Sequence, residues 1–199
     1  MVKINDNGHH QTHTGLLDID EMFKDLQSNP KAMSKPKSIS ELETESESGS
    51  ECSSISFNIE NSNIDSDQCE KLSKMFTTFN IDSFYMSKCP IDARCIKNLF
   101  DIKHDNNSIR RISLRNNNIN DYMLKTLVPL MSNFKVLYTI DLSSNMLTND
   151  SDELLMSMFS KITTLKYIFI HNKNERRLIK RNGDDGKISI QTCDKLIWD

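Results

Sequence analysis

Between Ile109 and Leu147 one apolar frame occurs twice, 28 residues apart. Ile109, Ile112, Leu114, Asn117 and Ile119 fill the pattern apolar-x-x-apolar-x-apolar-x-x-Asn-x-apolar, and Leu137, Ile140, Leu142, Asn145 and Leu147 fill it again. One period back stand Ile81, Phe84, Met86, Cys89 and Ile91, and a further step, of 27 residues, reaches Phe57, Ile59, Ser62 and Ile64. A step forward finds Leu165, Ile168 and Ile170. Such a period narrows the choice of folds sharply, because a recurring unit packs against its own copies.

The first half of each unit alternates with period two, the signature of a strand; the second half brings apolar residues back four apart, the signature of a helix. Leu72 with Phe76, Leu127 with Met131 and Leu155 with Phe159 mark those helices. A single strand-turn-helix unit cannot bury both apolar faces, so neighbours stack and share one core. An asparagine turned inward after the strand can satisfy backbone groups that the turn leaves unpaired.

This pattern resembles the leucine-rich repeat, in its ribonuclease-inhibitor-like subtype, over residues 54–173. The resemblance implies an α/β fold: a short solenoid with a curved parallel sheet inside and helices outside. It departs from the family at Ser62, Cys89 and Lys173, which interrupt the asparagine ladder, and at Pro129, which is expected to kink or end the third helix. The family includes ribonuclease inhibitors, GTPase-activating proteins of the Ran GTPase, innate-immune sensors and actin-capping tropomodulins. The resemblance therefore implies a non-catalytic protein-protein interaction module, an adaptor or scaffold that binds a protein partner on its concave face. A tropomodulin-like actin-filament capping protein and a GTPase-regulating, Ran-activating-like protein are the alternatives.

Side chains at the third, fifth and seventh positions of each unit point away from the core. The large residues among them are Tyr85, Arg111, Arg115, Asp141, Tyr167 and Phe169, types suited to an interface: aromatics supply area and arginine a rigid fork of donors. Two plainer readings stand beside this one. Arg111 can pair with Asp141 on the next strand, and Phe169 can be covered by a C-terminal cap.

Outside the repeat the texture changes. Residues 1–53 carry 5 basic and 10 acidic side chains and include the run SISELETESESGSE, so a disordered acidic, serine-rich tail is expected. Within it Leu16, Ile19, Phe23 and Leu26 would form one face of a short helix over 16–27. Ser40, Thr44 and Ser48 each precede a glutamate by three residues, which makes them candidates for phosphorylation by an acid-directed kinase, although the run also reads as a solvated linker. His9, His10 and His13 lack a preorganised metal geometry. Residues 174–199 contain two alternating runs around Asn182-Gly183, a hairpin signal, and would cap the stack. Asp184 and Asp185 lack the spaced ligands of a calcium loop.

Composition argues against several functions. No glycine occurs between Gly49 and Gly183, so the repeat region has no glycine-rich phosphate loop or dinucleotide fingerprint. No hydrolase elbow, zinc-protease motif or kinase signature is present either. Neither catalysis nor a cofactor is expected. A net charge of -3 gives no basic excess for nucleic acid, and the apolar runs are too short to span a bilayer. The expectation is a cytoplasmic, or nuclear, monomer with a protein partner and no membrane or nucleic-acid role. Five cysteines without a CxxC pair read as reduced thiols.

Overall fold

The computed structural model describes residues 2–6, 9–13, 19–28, 55–103, 106–171, 176–183 and 186–192. Ser40, Thr44 and Ser48, the aspartates 184 and 185, and the 173/174 boundary lie outside the described residues.

The chain forms one open, mixed sheet of nine strands with helices. In order they are β1 (Val2–Asp6), β2 (His9–His13), α1 (Ile19–Ser28), β3 (Ile55–Glu60), α2 (Ser66–Thr78), β4 (Ile81–Ser87), α3 (Ala93–Phe100), β5 (Arg111–Ser113), α4 (Asp121–Leu130), β6 (Thr139–Asp141), α5 (Asp152–Lys161), β7 (Tyr167–His171), β8 (Arg176–Arg181) and β9 (Ile188–Thr192). Across the sheet the order is β2-β1-β3-β4-β5-β6-β7-β8-β9. Strands β3 to β7 run parallel, with Ser83, Arg111, Thr139 and Tyr167 side by side, each 28 residues beyond the last.

One strand face and the helices close a continuous apolar core, in which Phe57, Phe84, Ile112, Ile140 and Ile168 from the strands meet Leu72, Leu99, Leu127 and Leu155 from the helices. Phe84 is fully buried, with the rings of Phe57, Phe76 and Phe100 at 6.0, 4.9 and 6.5 Å. The turns are tied by amides. Asn117, fully buried, accepts from the Cys89 N–H at 2.8 Å and donates to the Met86 carbonyl at 2.8 Å. Asn145 repeats the arrangement, accepting from the Asn117 N–H at 2.9 Å and donating to the Leu114 carbonyl at 2.8 Å. Asn106, 4% exposed, serves a different loop: its Nδ2 donates to the Phe76 carbonyl while its Oδ1 accepts from the Ser108 and Ile109 N–H groups.

Two further devices recur. Helices α2, α3 and α4 begin after a capping side chain on Asp65, Asp92 and Asn120, which accepts a backbone N–H of the first turn, and Thr148 caps in the same way the short 3-10 turn Asn149–Ser151 that leads into α5. Just before each turn, Asn61, Lys88, Asn116 and Ser144 adopt positive φ of 52°, 53°, 59° and 58°. Asparagine tolerates that conformation better than serine does. Ser144→Asn is therefore expected to raise stability by about 0.5–1 kcal/mol, measured as a higher urea midpoint; an unchanged or lower midpoint would contradict the assignment of strain at Ser144.

Pro129, whose missing N–H leaves the Lys125 carbonyl without its helical partner, stands in the last turn of helix α4, which ends one residue later and continues as a short 3-10 turn at Met131–Asn133. Strands β8 and β9 pair antiparallel, and the Asn182 N–H closes their turn on the Lys187 carbonyl. Arg177, 3% exposed, ion-pairs with Asp152 at the start of α5, while Arg181 donates to the Phe159 carbonyl and lies 5.7 Å over its ring. These contacts fix the hairpin to the last helix.

Two expectations need correction. The N-terminal segment is not disordered throughout: β1 pairs with β3 and carries β2 on its outer side. Among the described residues helix α1 covers 19–28, within the segment expected to be helical over 16–27 and one residue past its end, and it packs on α2 through buried Ile19 and Met22, with Phe23 against Phe79 at 5.2 Å. An unpaired β3 edge and an uncovered α2 supply the surface that this segment needs in order to gain order. The cysteines also differ from expectation: Cys69 of α2 and Cys95 of α3 form a disulfide, with Cα atoms 5.5 Å apart. Among the described residues, no helix is long and apolar enough to cross a membrane.

Candidate functional site

Buried strand positions alternate with half-buried or exposed ones, and the latter form the face opposite the helices. On this face a cavity of about 390 Å³ is bordered by Tyr85, Arg111, Arg115, Asp141 and Phe169, five of the six residues singled out from the sequence. Short Ser113 and Thr139 side chains form part of its lining and leave room between the larger groups. The walls are backbone-rigid, since each stands on or beside a strand paired on both sides.

The sixth residue, Tyr167, stands beside the cavity. Its ring stacks near Phe169 at 6.2 Å and 26°, and meets Tyr138 edge-on at 5.5 Å. Tyr138, 42% exposed, extends this aromatic ridge into solvent. Partial desolvation, then a hydrogen bond and repulsion from Tyr167, push the Tyr138 phenol above its ordinary range. Tyr138 escapes the sequence pattern because it precedes the alternating positions by one residue; the available signal is the pair of tyrosines near the starts of β6 and β7.

The two arginines differ. Arg111 donates to the Asp82 carboxylate at 3.0 Å, and Arg110 approaches the same carboxylate at 3.5 Å. Arg111 thus has an acidic partner, Asp82 of β4, in place of the Asp141 that the plainer reading of the sequence offers. Asp141 instead accepts the Ser143 N–H at 2.8 Å, an Asx turn that draws its carboxylate toward its own loop. Arg115 is exposed, and among the described residues no ion pair or hydrogen bond engages its guanidinium. Phe169 is half-buried beside Leu178 of β8 and keeps a surface on the cavity.

The C-terminal hairpin adds to this face. Lys180 stands opposite Tyr167, Leu178 opposite Phe169 and Arg176 opposite His171. The hairpin signal implies a capping task alone, although the alternation of RRLIKR already separates buried Arg177 and Ile179 from Arg176, Leu178 and Lys180. Arg176 Nε approaches His171 Nε2 at 3.4 Å.

Cys89 is buried in the turn ladder, and desolvation pushes its thiol up, so it stays protonated at neutral pH. Among the described residues no group of three or more His, Cys, Asp or Glu side chains is placed to hold a metal ion. His9, His10 and His13 lie on β2, and their side chains lie outside the description. No protein-family profile matches the chain, and no curated protein is similar to it in sequence.

Proposed function

We propose that the chain is a leucine-rich-repeat solenoid of the ribonuclease-inhibitor-like subtype, and that it works as a non-catalytic adaptor which binds a protein partner on the concave side of its sheet. One observation carries the reading. The sheet face opposite the helices holds a cavity with aromatic walls at Tyr85 and Phe169 and a guanidinium at Arg115 that has no partner among the described residues. Aromatic and arginine side chains on a rigid base are the usual anchors of protein interfaces, because they gain area and directed hydrogen bonds at little entropic cost. The proposed setting is cytoplasmic or nuclear, with the chain acting as a monomer.

The 28-residue side-by-side register supports the repeat assignment. Bulky helices on one side of adjacent strands favour curvature toward the other, which would make the open face concave. A partner entering there meets Arg115 in water, whereas Arg111 must share its charge with Asp82.

Arg115→Ala is therefore expected to weaken partner capture about tenfold, and Arg111→Ala less, with both variants keeping the wild-type melting temperature. Affinity capture from lysate with the intact chain, quantified by mass spectrometry, is the measurement. Unchanged capture by the Arg111→Ala/Arg115→Ala double variant would overturn the proposal. Recovery of actin or of a Ran-type GTPase would move the assignment to the capping or the GTPase-regulating alternative.

A further inference from the structure

The cations of the open face are concentrated toward its C-terminal half. Register places Arg111, Thr139, Tyr167 and Lys180 in one row across β5 to β8. A second row ends in His171 and Arg176. Arg115 continues β5 toward that row, because the Asn116 N–H reaches the Ser143 carbonyl and the Ser144 N–H reaches the His171 carbonyl. Four cations thus mark the corners of a patch, with Arg111 and Arg115 on the β5 side, Lys180 and Arg176 on the β8 side. Three strand spacings make it about 14 Å wide, and four residues of strand make it about 13 Å long. Phe169 and Leu178, in register and half-buried, form the apolar β7–β8 side of the row between them. Toward the other end of the sheet, Lys88 and Glu60 neutralise one another at 2.9 Å.

We infer that this patch recognises an extended acidic segment of a partner protein, in which two carboxylates flank an apolar side chain. The inference rests on the reading of this face as a partner-binding surface. In an extended peptide, side chains i, i+2 and i+4 share a face, and the outer two stand about 13 Å apart. That separation matches the corners. Carboxylates at i and i+4 reach Arg115 and Arg176, or Arg111 and Lys180, the two corners of one row, while the apolar group at i+2 covers Phe169. Among the described residues neither Arg115 nor Arg176 has an ion-pair partner, so the incoming carboxylates displace water and break no existing pair. Asp141 lies in the central row between the cations. It opposes a continuous polyanion such as RNA, whose phosphates would pass over it, but accommodates a peptide, which can turn a backbone N–H toward it.

Fluorescence anisotropy with the intact chain tests this. The probe is a labelled peptide of about nine residues with glutamates two positions to either side of a central phenylalanine. Saturable binding is expected, weakened about tenfold or more in the Arg115→Glu/Arg176→Glu double variant and restored in that variant when lysines replace the peptide's glutamates. Both substituted side chains reach solvent, and a thermal melt verifies that the variant folds. Absent binding, equal binding by the variant, or weakening without rescue overturns the inference. Tighter binding of a short uridine oligonucleotide than of the peptide overturns it in favour of nucleic acid. The broader reading of the face fails by a different result, unchanged lysate capture by the Arg111→Ala/Arg115→Ala variant.

Discussion

Phe84→Ala is expected to destabilise the chain by about 3–5 kcal/mol, the range for deleting a fully buried aromatic ring. Phe84 is 0% exposed and stands at the meeting point of two strands and two helices. It stacks on Phe57 of β3 and receives Phe76 of α2 and Phe100 of α3 edge-on. Removing it leaves a cavity bounded by three rings that cannot all close inward, and each aromatic pair contributes about 0.5–1.5 kcal/mol beyond area burial. Against a typical total stability of about 5–15 kcal/mol, the variant approaches unfolding near body temperature. Urea titration followed by circular dichroism reads the shift; a loss under about 1.5 kcal/mol, the range of a tolerated apolar swap, would show that the rings do not converge on Phe84. Phe84→Leu should lose much less.

Reduction of the Cys69–Cys95 bond is the second large effect. The bond joins α2 to α3 across a sequence separation of 26 residues. Closing a loop of that length restricts the unfolded chain by about 3.5 kcal/mol in the chain-entropy model. For a chain of this size each kcal/mol moves the melting temperature by about 2–4 °C, so a reductant should lower it by about 7–14 °C. Both sulfurs belong to buried residues, so reduction should be slow until the chain opens. The linked peptides should be recovered from a non-reducing digest. A reductant-independent melting curve, with no linked peptide, would contradict the bond.

Much of this architecture is legible in the sequence, because the register carries it. Period-two alternation assigns Phe57, Phe84, Ile112, Ile140 and Ile168 inward, and all are buried. Spacing alone places Asn117 and Asn145 in the turns, and their amides bond there as a buried amide must. The same register holds information that apolar patterning passes over. Asp65, Asp92, Asn120 and Thr148 recur at the period of the units, each just before a helical run, which is what an N-cap looks like. A search of the cysteines for closely spaced pairs finds none, whereas stacked units bring together residues about one period apart; Cys69 and Cys95 satisfy that condition.

Other features depend on geometry that no period encodes. Arg111 lies level with Thr139 and close to Asp141 on the same neighbouring strand, so sequence alone allows either of two carboxylates as its partner. In the fold the side chain turns to Asp82, where the same nitrogen also lies 3.4 Å from the Ser83 hydroxyl. The strands of VKIND and HHQTH have little apolar content, and their order comes from the unpaired edge of β3, a tertiary template invisible to a local window.

The buried amide of Asn106 has a consequence for biosynthesis. Asn106-Asn107-Ser108 is an acceptor triplet for N-linked glycosylation, and the nitrogen that would carry the sugar is the Nδ2 that donates to the Phe76 carbonyl inside the fold. A glycan on that nitrogen would leave it one N–H, but the buried site has no room for a sugar, so the loop would be held away from the core. Once this loop has closed around Phe76, the nitrogen of Asn106 is therefore no longer open to modification.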